Sequence, residues 1–403
     1  MLRSMYSGIS GMRNFQTKLD VIGNNIANVN TYGFKKGRVT FKDTMNQTIS
    51  GATASTDNRG GQNPMQVGLG ATIATIDTIH TQSSLQTTGR SLDLAIDGDG
   101  YFIVNQGDAQ FYTRAGNFYL DDNGTLVTGE GFKVQAYDET GTLGDVAVNV
   151  NAVSPAVQTE EIVFSGNLSS TAAQDFVYNQ QIKVIDDVGI AHTVDVYFKK
   201  TATADEWDVY INQDPDDPAS AKLDTITFDS TTGEFDSADT GDPWEFDHDG
   251  DGTSGTATID IDLDFSALTQ FDDSTTALAN PDGNTEGVLE SFNIGAGGEI
   301  NGVYSNGLVN PLGTLAIAKF SNPAGLTKSG NNLFQESINS GTANVDMPGE
   351  GRGLIASGRL EMSNVDLSEE FTEMIVAQRG FQANTRIITT SDEILQELVN
   401  LKR

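Results

Sequence analysis

Apolar positions at the two ends of the chain recur with helical spacing, whereas those between the ends alternate. Near the C-terminus, Leu367, Phe371, Met374, Phe381, Ile388, Leu395 and Val399 mark a stripe with a period of about 3.5 residues. Gln378, Thr385 and Asp392 fall at its intermediate positions. A second stripe, Ile375, Ile387, Ile394, Leu398 and Leu401, widens the apolar face beyond what a two-helix seam needs. Asp366 followed by Glu369 reads as a capping box that starts this helix. At the N-terminus the stripe is Leu2, Met5, Ile9, Met12, Leu19 and Ile26, with Phe15, Ile22 and Val29 alongside. Gly8, Gly11 and Gly23 each weaken a helix by roughly 1 kcal/mol against Ala, which makes sense where another backbone comes close. Helices of this kind are marginal alone, so both ends are expected to stay mobile until neighbouring subunits bury their faces. Two such helices at the two ends of a chain predict a protein that polymerises. A core helix pair closing a globular domain would give the same pattern.

Between the helices the pattern is that of β-structure. Residues 31–75 are rich in Gly, Thr, Asn and Gln and read as an extended connector. Leu92, Leu94 and Ile96 alternate before an Asp97–Gly100 turn and the run Tyr101 to Val104. Phe118–Leu120, the Asp122–Gly124 turn and Thr125–Val127 read as a hairpin. Further strands are expected at Thr193–Phe198, Asp208–Ile211, Thr225–Phe228 and Gly313–Phe320. Ile259, Ile261, Leu263 and Phe265 alternate strictly with Asp260, Asp262 and Asp264, giving one buried face and one charged face. The expected fold is a mainly β body of two β domains, one inserted in the other, with long helical termini. Residues 76–150 and 287–363 would form one β domain and 151–286 the inserted one. The terminal helical domain would combine 1–30 with 364–403.

Composition sharpens this picture at one place. Of the net charge of −33, residues 155–290 carry −26, from 30 Asp/Glu against 4 Lys/Arg. The acidic load therefore belongs to the inserted domain, where it serves solubility or a salty or alkaline medium. Such a charge repels nucleic acid. Cysteine is absent, which removes disulfides, thiolate metal sites and cysteine nucleophiles. No run reaches the length of a membrane span, and the first residues lack the apolar core of a cleavable signal peptide.

Candidate chemistry is sparse. Asp247, Asp249, Asp251 and Gly252 match the first half of a calcium loop, but Thr258 stands where a bidentate Glu belongs. An acidic turn between strands explains them as well. His80, His192 and His248 share no motif and read as surface residues, and no hydrolase signature is present. Gly295–Gly298 lacks phosphate-loop spacing and reads as a turn. No enzymatic activity and no cofactor are expected.

Two terminal motifs and one internal one carry a resemblance. Met1–Met12 followed by Leu19–Lys36 resembles the N-terminal signature of bacterial flagellar rod and hook axial proteins. Ser357–Leu367 running into Ala377–Asn384 looks like that family's C-terminal signature, and Gly89–Phe102 is similar to a third segment. The large acidic insert makes the hook branch the better match, and the N-terminal wording looks like its Bacillus-like version. The resemblance implies a curved, flexible tube that passes torque from rod to filament. Its inner coiled-coil layer would be packed through Met5, Ile9, Met12, Leu19, Ile22, Ile26, Phe371, Met374, Phe381, Ile388 and Leu395. Asn24, Asn25, Asn28, Gln378, Gln382 and Asn384 would supply amides that fix register there. The implied partners are further copies of the chain, the distal rod, the hook cap, the hook–filament junction proteins and the flagellar type III export apparatus. Other readings are a distal-rod component with an unusual insert and, from another class, a secreted calcium-dependent adhesin.

Overall fold

The computed structural model describes residues 2–55, 59–107, 109–138, 140–149, 153–213, 215, 221–238, 243–247, 258–349 and 351–401. It is mostly β, with one helix at each end: α1 (Leu2–Ala27) and α2 (Leu367–Leu401). The chain divides into two compact units. The first comprises Met1–Asn149, Phe292–Gly302 and Pro311–Arg403, and the second Val150–Ser291 and Val303–Asn310.

In the first unit the stretch expected to be a connector is paired. Strand β1 (Gly37–Asp43) runs antiparallel to β4 (Ala71–Thr78), and β2 (Asn46–Ser50) to β3 (Met65–Gly68). Backbone pairing satisfies these peptide groups, while Phe41, Met45, Ile49, Met65 and Ile76 stay exposed. That mixture of exposed apolar and polar residues erased the alternation a strand assignment needs. Next, β5 (Leu85–Thr87) pairs with Arg359–Glu361 and β6 (Leu94–Asp97) with Leu354–Ser357, so both signature regions share backbone ladders. Strands β7 (Tyr101–Gln106) and β8 (Ala109–Thr113) form a hairpin beside Lys133–Tyr137 and Leu333–Gln335. Phe118–Leu120 pairs with Leu126–Thr128 as expected, and Asp121 accepts the backbone N–H groups of Asn123 and Thr125 in the turn. The single strand expected over Gly313–Phe320 is broken: one strand ends at Leu315 and another, Ile317–Lys319, follows.

The second unit is a two-sheet sandwich. A five-stranded antiparallel sheet runs Val177–Ile185, Ala191–Lys200, Glu206–Ile211, Asp224–Phe228 and Phe235–Ala238. A four-stranded sheet orders Trp244–Asp247, Thr258–Thr269, Glu161–Asn167 and Leu278–Pro281, with a parallel pair at its centre. Both contribute to one core in which Phe164 stacks on Phe265 at 4.9 Å and meets Phe198 edge-on at 5.6 Å. Ile259, Ile261 and Phe265 are buried and Asp260 and Asp262 exposed, as the alternation predicts, but Leu263 and Asp264 are both half-buried, where the pairing with the parallel neighbour shifts register. Of the calcium-loop residues, Asp249 and Asp251, with His248, lie outside the described residues, while Asp247 ends a strand.

Both tryptophans, Trp207 and Trp244, sit in the second unit, so their emission reports on that unit alone. Phe164→Ala should lower its stability by about 3–5 kcal/mol through the cavity it leaves. The tryptophan transition in urea should move to lower denaturant while the helical ellipticity of the first unit persists.

Candidate assembly interface

The two helices pack antiparallel, and glycines let their backbones approach closely along part of the seam. Gly8 and Gly11 of α1 lie against Asn384 and Ile388 of α2, and Phe15 lies on Gly380. A Cβ on Gly11 would stand 2.9 Å from the Asn384 side-chain amide, and one on Gly380 2.6 Å from the Phe15 ring. The backbones therefore approach where no side chain fits, as the N-terminal glycines predict. Gly23 differs, since nothing lies within 4 Å of its position.

On α2 the seam positions are Glu370, Met374, Ala377, Phe381, Asn384, Ile388, Ser391 and Leu395, each buried or half-buried, in alternating steps of four and three. The intermediate heptad positions are thus Ala377, Asn384 and Ser391, one residue earlier than the expected Gln378, Thr385 and Asp392, which are exposed. Phe371, expected inside the layer, is 48% exposed, and Leu367, Ile375, Val376, Ile387, Ile394, Val399 and Leu401 are exposed too. On α1, Ile22 is buried, and Met5, Ile9, Met12, Leu19 and Ile26 are half-buried. Of the six predicted amides only Asn25 and Asn384 enter the seam. Asn24, Gln378 and Gln382 are exposed, and Asn28 turns back to the Asn24 carbonyl at 2.9 Å, closing the end of α1.

The start of α2 departs from a full capping box. Asp366 accepts the N–H of Ser368 at 2.8 Å, but the Glu369 carboxylate takes the Lys36 ammonium at 2.7 Å instead of returning to the cap. With Lys18–Glu373 at 3.1 Å, it is a partly exposed ion pair between the two ends of the chain, each worth at most about 1 kcal/mol.

The stronger ties are buried, and sequence reasoning missed them. Asn25 donates its amide to the Gly37 carbonyl (2.9 Å) and the Glu370 carboxylate (3.2 Å), and its oxygen accepts the Gly37 N–H. Burial pushes the Glu370 carboxyl above its ordinary pKa, and the Asn25 hydrogen bond opposes that. Gly33, at φ +69°, donates its N–H to the Glu361 carbonyl, and a side chain there would strike the Arg114–Ala115 backbone. Two residues on, the fully buried Lys35 ammonium meets the fully buried Glu361 carboxylate at 2.6 Å and donates to the Thr81 carbonyl at 2.9 Å. Arg114 approaches the other Glu361 oxygen at 3.3 Å and donates to the Gly98 carbonyl at 2.8 Å. Desolvation pulls the Lys35 pKa down, and the attraction of Glu361 opposes it. Asn364 completes the junction, accepting the Lys36 N–H at 2.7 Å and donating to the Ile79 carbonyl at 2.8 Å.

His80 is not a free surface residue. Its Nδ1 is 2.6 Å from the Tyr101 hydroxyl, and burial, reinforced by the charges of Lys35, Lys328 and Arg114, lowers its pKa from 6.5 to about 4. His192 pairs with Asp186 at 2.9 Å. Among the described residues, no group of three His, Cys, Asp or Glu side chains is placed to hold a metal ion, and no helix is long and apolar enough to cross a membrane.

A helix pair drawn from the two ends of the chain is thus locked to β-structure by buried polar ties, and comparison with known proteins places this arrangement among the flagellar axial structural proteins. Family models match in chain order: flagella basal body rod protein over 5–35, flagellar hook protein FlgE/F/G D1 domain over 95–188, flagellar basal body protein FlaE D2 domain over 149–284, and flagellar basal body rod FlgEFG protein C-terminal over 356–401. Flagellar hook protein FlgE of Borreliella burgdorferi is 40% identical over the whole of both chains, and that of Escherichia coli 35% over 98% of each. The flagellar basal-body rod protein FlgG of Bacillus subtilis is 42% identical over the whole of both chains. The crystal structure of Helicobacter pylori flagellar hook protein FlgE2 shares the fold at a TM-score of 0.53, covering 69% of this chain and all of that one at 16% identity. The chain belongs to the flagellar hook protein FlgE family and is a structural subunit of the hook.

Glu361→Gln would leave Lys35 and Arg114 buried without their counter-charge and should cost about 3–5 kcal/mol in chemical denaturation. His80 gives a pH signature. Its folded-state pKa of about 4 lies below the ordinary 6.5, so the unfolded chain takes up the proton first. The stability it contributes is complete above pH 6.5 and is lost as pH falls towards 4. Urea midpoints followed across that interval should fall less steeply in His80→Gln than in the parent protein.

Proposed function

We propose that the helix pair is the polymerisation element of the hook. Helices from successive copies would form a coiled-coil inner layer, with the β units outside it and the acidic unit, inserted in the sequence of the first, outermost. Heterologous contacts of this kind generate an open helical tube instead of a closed ring. The observation that carries the reading is apolar surface left uncovered on both flanks of the α2 seam, Phe371 and Ile375 on one and Ile387 and Ile394 on the other, all more than 40% exposed, which calls for partners outside the chain. The unopposed Gly23 supports it from the side of α1. An apolar inner layer with polar contacts outside it would let subunits slide as the tube bends, so that it carries torque from rod to filament. Family resemblance supports the remaining partners: the distal rod below, the cap under which subunits add, the hook–filament junction proteins above, and a type III export apparatus that passes the chain without a cleaved signal.

Immunogold electron microscopy with antibody against residues 155–285 should label a short curved segment between the cell surface and the filament. Label only after envelope stripping would overturn the outward placement. Ile375→Asp, at a position 56% exposed, should leave the isolated chain folded and abolish hooks. Normal hooks and motility in that variant would sink the helix-layer reading.

A further inference from the structure

At the anchored end of the helix pair, Asn25 clamps three elements together. Its amide donates to the Gly37 carbonyl of β1 at 2.9 Å and to Glu370 Oε2 of α2 at 3.2 Å, and its oxygen accepts the Gly37 N–H at 2.9 Å. Glu370, which brings α2 into this clamp, is 5% exposed. A carboxylate so buried needs a cation or several donors, and the clamp supplies one neutral amide. The cations of the junction are engaged by other carboxylates: Lys18 of α1 by Glu373 at 3.1 Å, Lys36 by Glu369 at 2.7 Å, and Arg38 of β1 by Asp77 of β4 at 3.3 Å. All of these except Asp77 line, with Glu370, a pocket of about 170 Å³. Glu370 therefore stands beside two like charges of its own helix, Glu369 and Glu373, without a cation to itself.

Protonation removes the conflict without breaking the clamp. A neutral carboxyl keeps its carbonyl oxygen on the Asn25 amide, while the cost of the buried charge and its repulsion disappear. We propose that Glu370 is a protonation switch on the helix pair: neutral, it holds α2 firmly to α1 and β1, and ionised, it loosens the clamp. Burial, with the charges of Glu373 and Glu369, holds this carboxyl above the usual 4.5, against the pull of Asn25 and Lys36. The field of the α2 N-terminus favours the ionised form but fades within the first turn, and Glu370 is the fourth residue of the helix. The folded chain thus takes up the proton first. The stability that Glu370 contributes is complete below pH 4.5 and is lost as pH rises through the folded value, a direction opposite to that of His80. In the polymer reading above the same clamp sets the helix pair for assembly, so hooks would be firmest in a mildly acid medium. That consequence rests on the polymer reading, and the switch itself does not.

The test has two arms. On the isolated full-length chain, Glu370→Gln, which is neutral at every pH, should melt about 2–4 °C above the parent at pH 7.5, and the gap should shrink as pH falls to 4.5. Hydrogen exchange of the Gly37 amide, corrected for its intrinsic pH dependence, should show weaker protection at pH 7.5 than at pH 5 in the parent and equal protection in the variant. Glu373→Gln should gain nothing at pH 7.5, and an equal gain there would assign the effect to crowded acidic residues at large and overturn the switch. A gap of the same size at every pH, or a Glu370→Gln chain less stable than the parent at pH 7.5, also overturns it. In the second arm, parent hooks should come apart at a lower temperature at pH 7.5 than at pH 5, and Glu370→Gln hooks at one temperature in both. Parent hooks indifferent to pH, with the isolated-chain gap present, would leave the switch standing and count against the helix pair as the assembly element.

Discussion

The ion pair between Lys35 and Glu361, shared with Arg114, is the constraint on which the first unit depends. Taking three charges out of water is costly, and their mutual attraction repays it only when every remaining donor finds an acceptor. Here the Thr81 and Gly98 carbonyls and the Ser83 N–H largely meet that condition. The geometry leaves no freedom to slip by a residue. A hydrophobic contact tolerates such a slip, but a carboxylate flanked by two fixed cations does not. The β5 and β6 ladders, the Asn364 clamp and the start of α2 all take their register from this point. Asn25 and Glu370 repeat the device one layer further along the helices.

The helix seam follows a different logic. Gly8, Gly11 and Gly380, with Ala377 and Ser391, draw the two backbones together at the expense of apolar area. A seam of small residues gains less from burial than one of leucines. Met374, Phe381, Ile388 and Leu395 fill the alternate positions, while Phe371, Ile375 and Ile387 stay exposed. The pair holds its geometry chiefly through its anchored end, and large apolar residues are left exposed along α2.

This division explains what could be read from the sequence. Strands with a clean inside and outside, such as the one containing Ile259, Ile261 and Phe265, were legible because burial and alternation coincide there. Both terminal helices were legible from their period. Their seam was legible at Met374, Phe381, Ile388 and Leu395 but not at the positions between them, because ranking by hydrophobicity selects Phe371 and passes over Ala377 and Ser391, whose value is their small size. The hairpin of β1 to β4 was hidden for a related reason, since its side chains are exposed or half-buried throughout and carry no alternation. The buried triad left a signal that went unused. Lys35 follows Phe34 and Glu361 stands between Leu360 and Met362 inside the two terminal motifs, and opposite charges so placed gain from finding each other across the fold.

The ties of the first unit also fix when it can form. Asn25 meets Glu370 across 345 residues of chain, and Lys35 meets Glu361 across 326. Contacts of such separation demand that nearly the whole loop be closed before either is made. A chain synthesised from its N-terminus therefore carries α1 without its partner until almost the last residue has been added. The second unit has no such dependence, since its sandwich is drawn from one nearly continuous stretch. Sequence order thus acts as a clock: the acidic sandwich can mature early, and the helix pair comes into register only once α2 has been made.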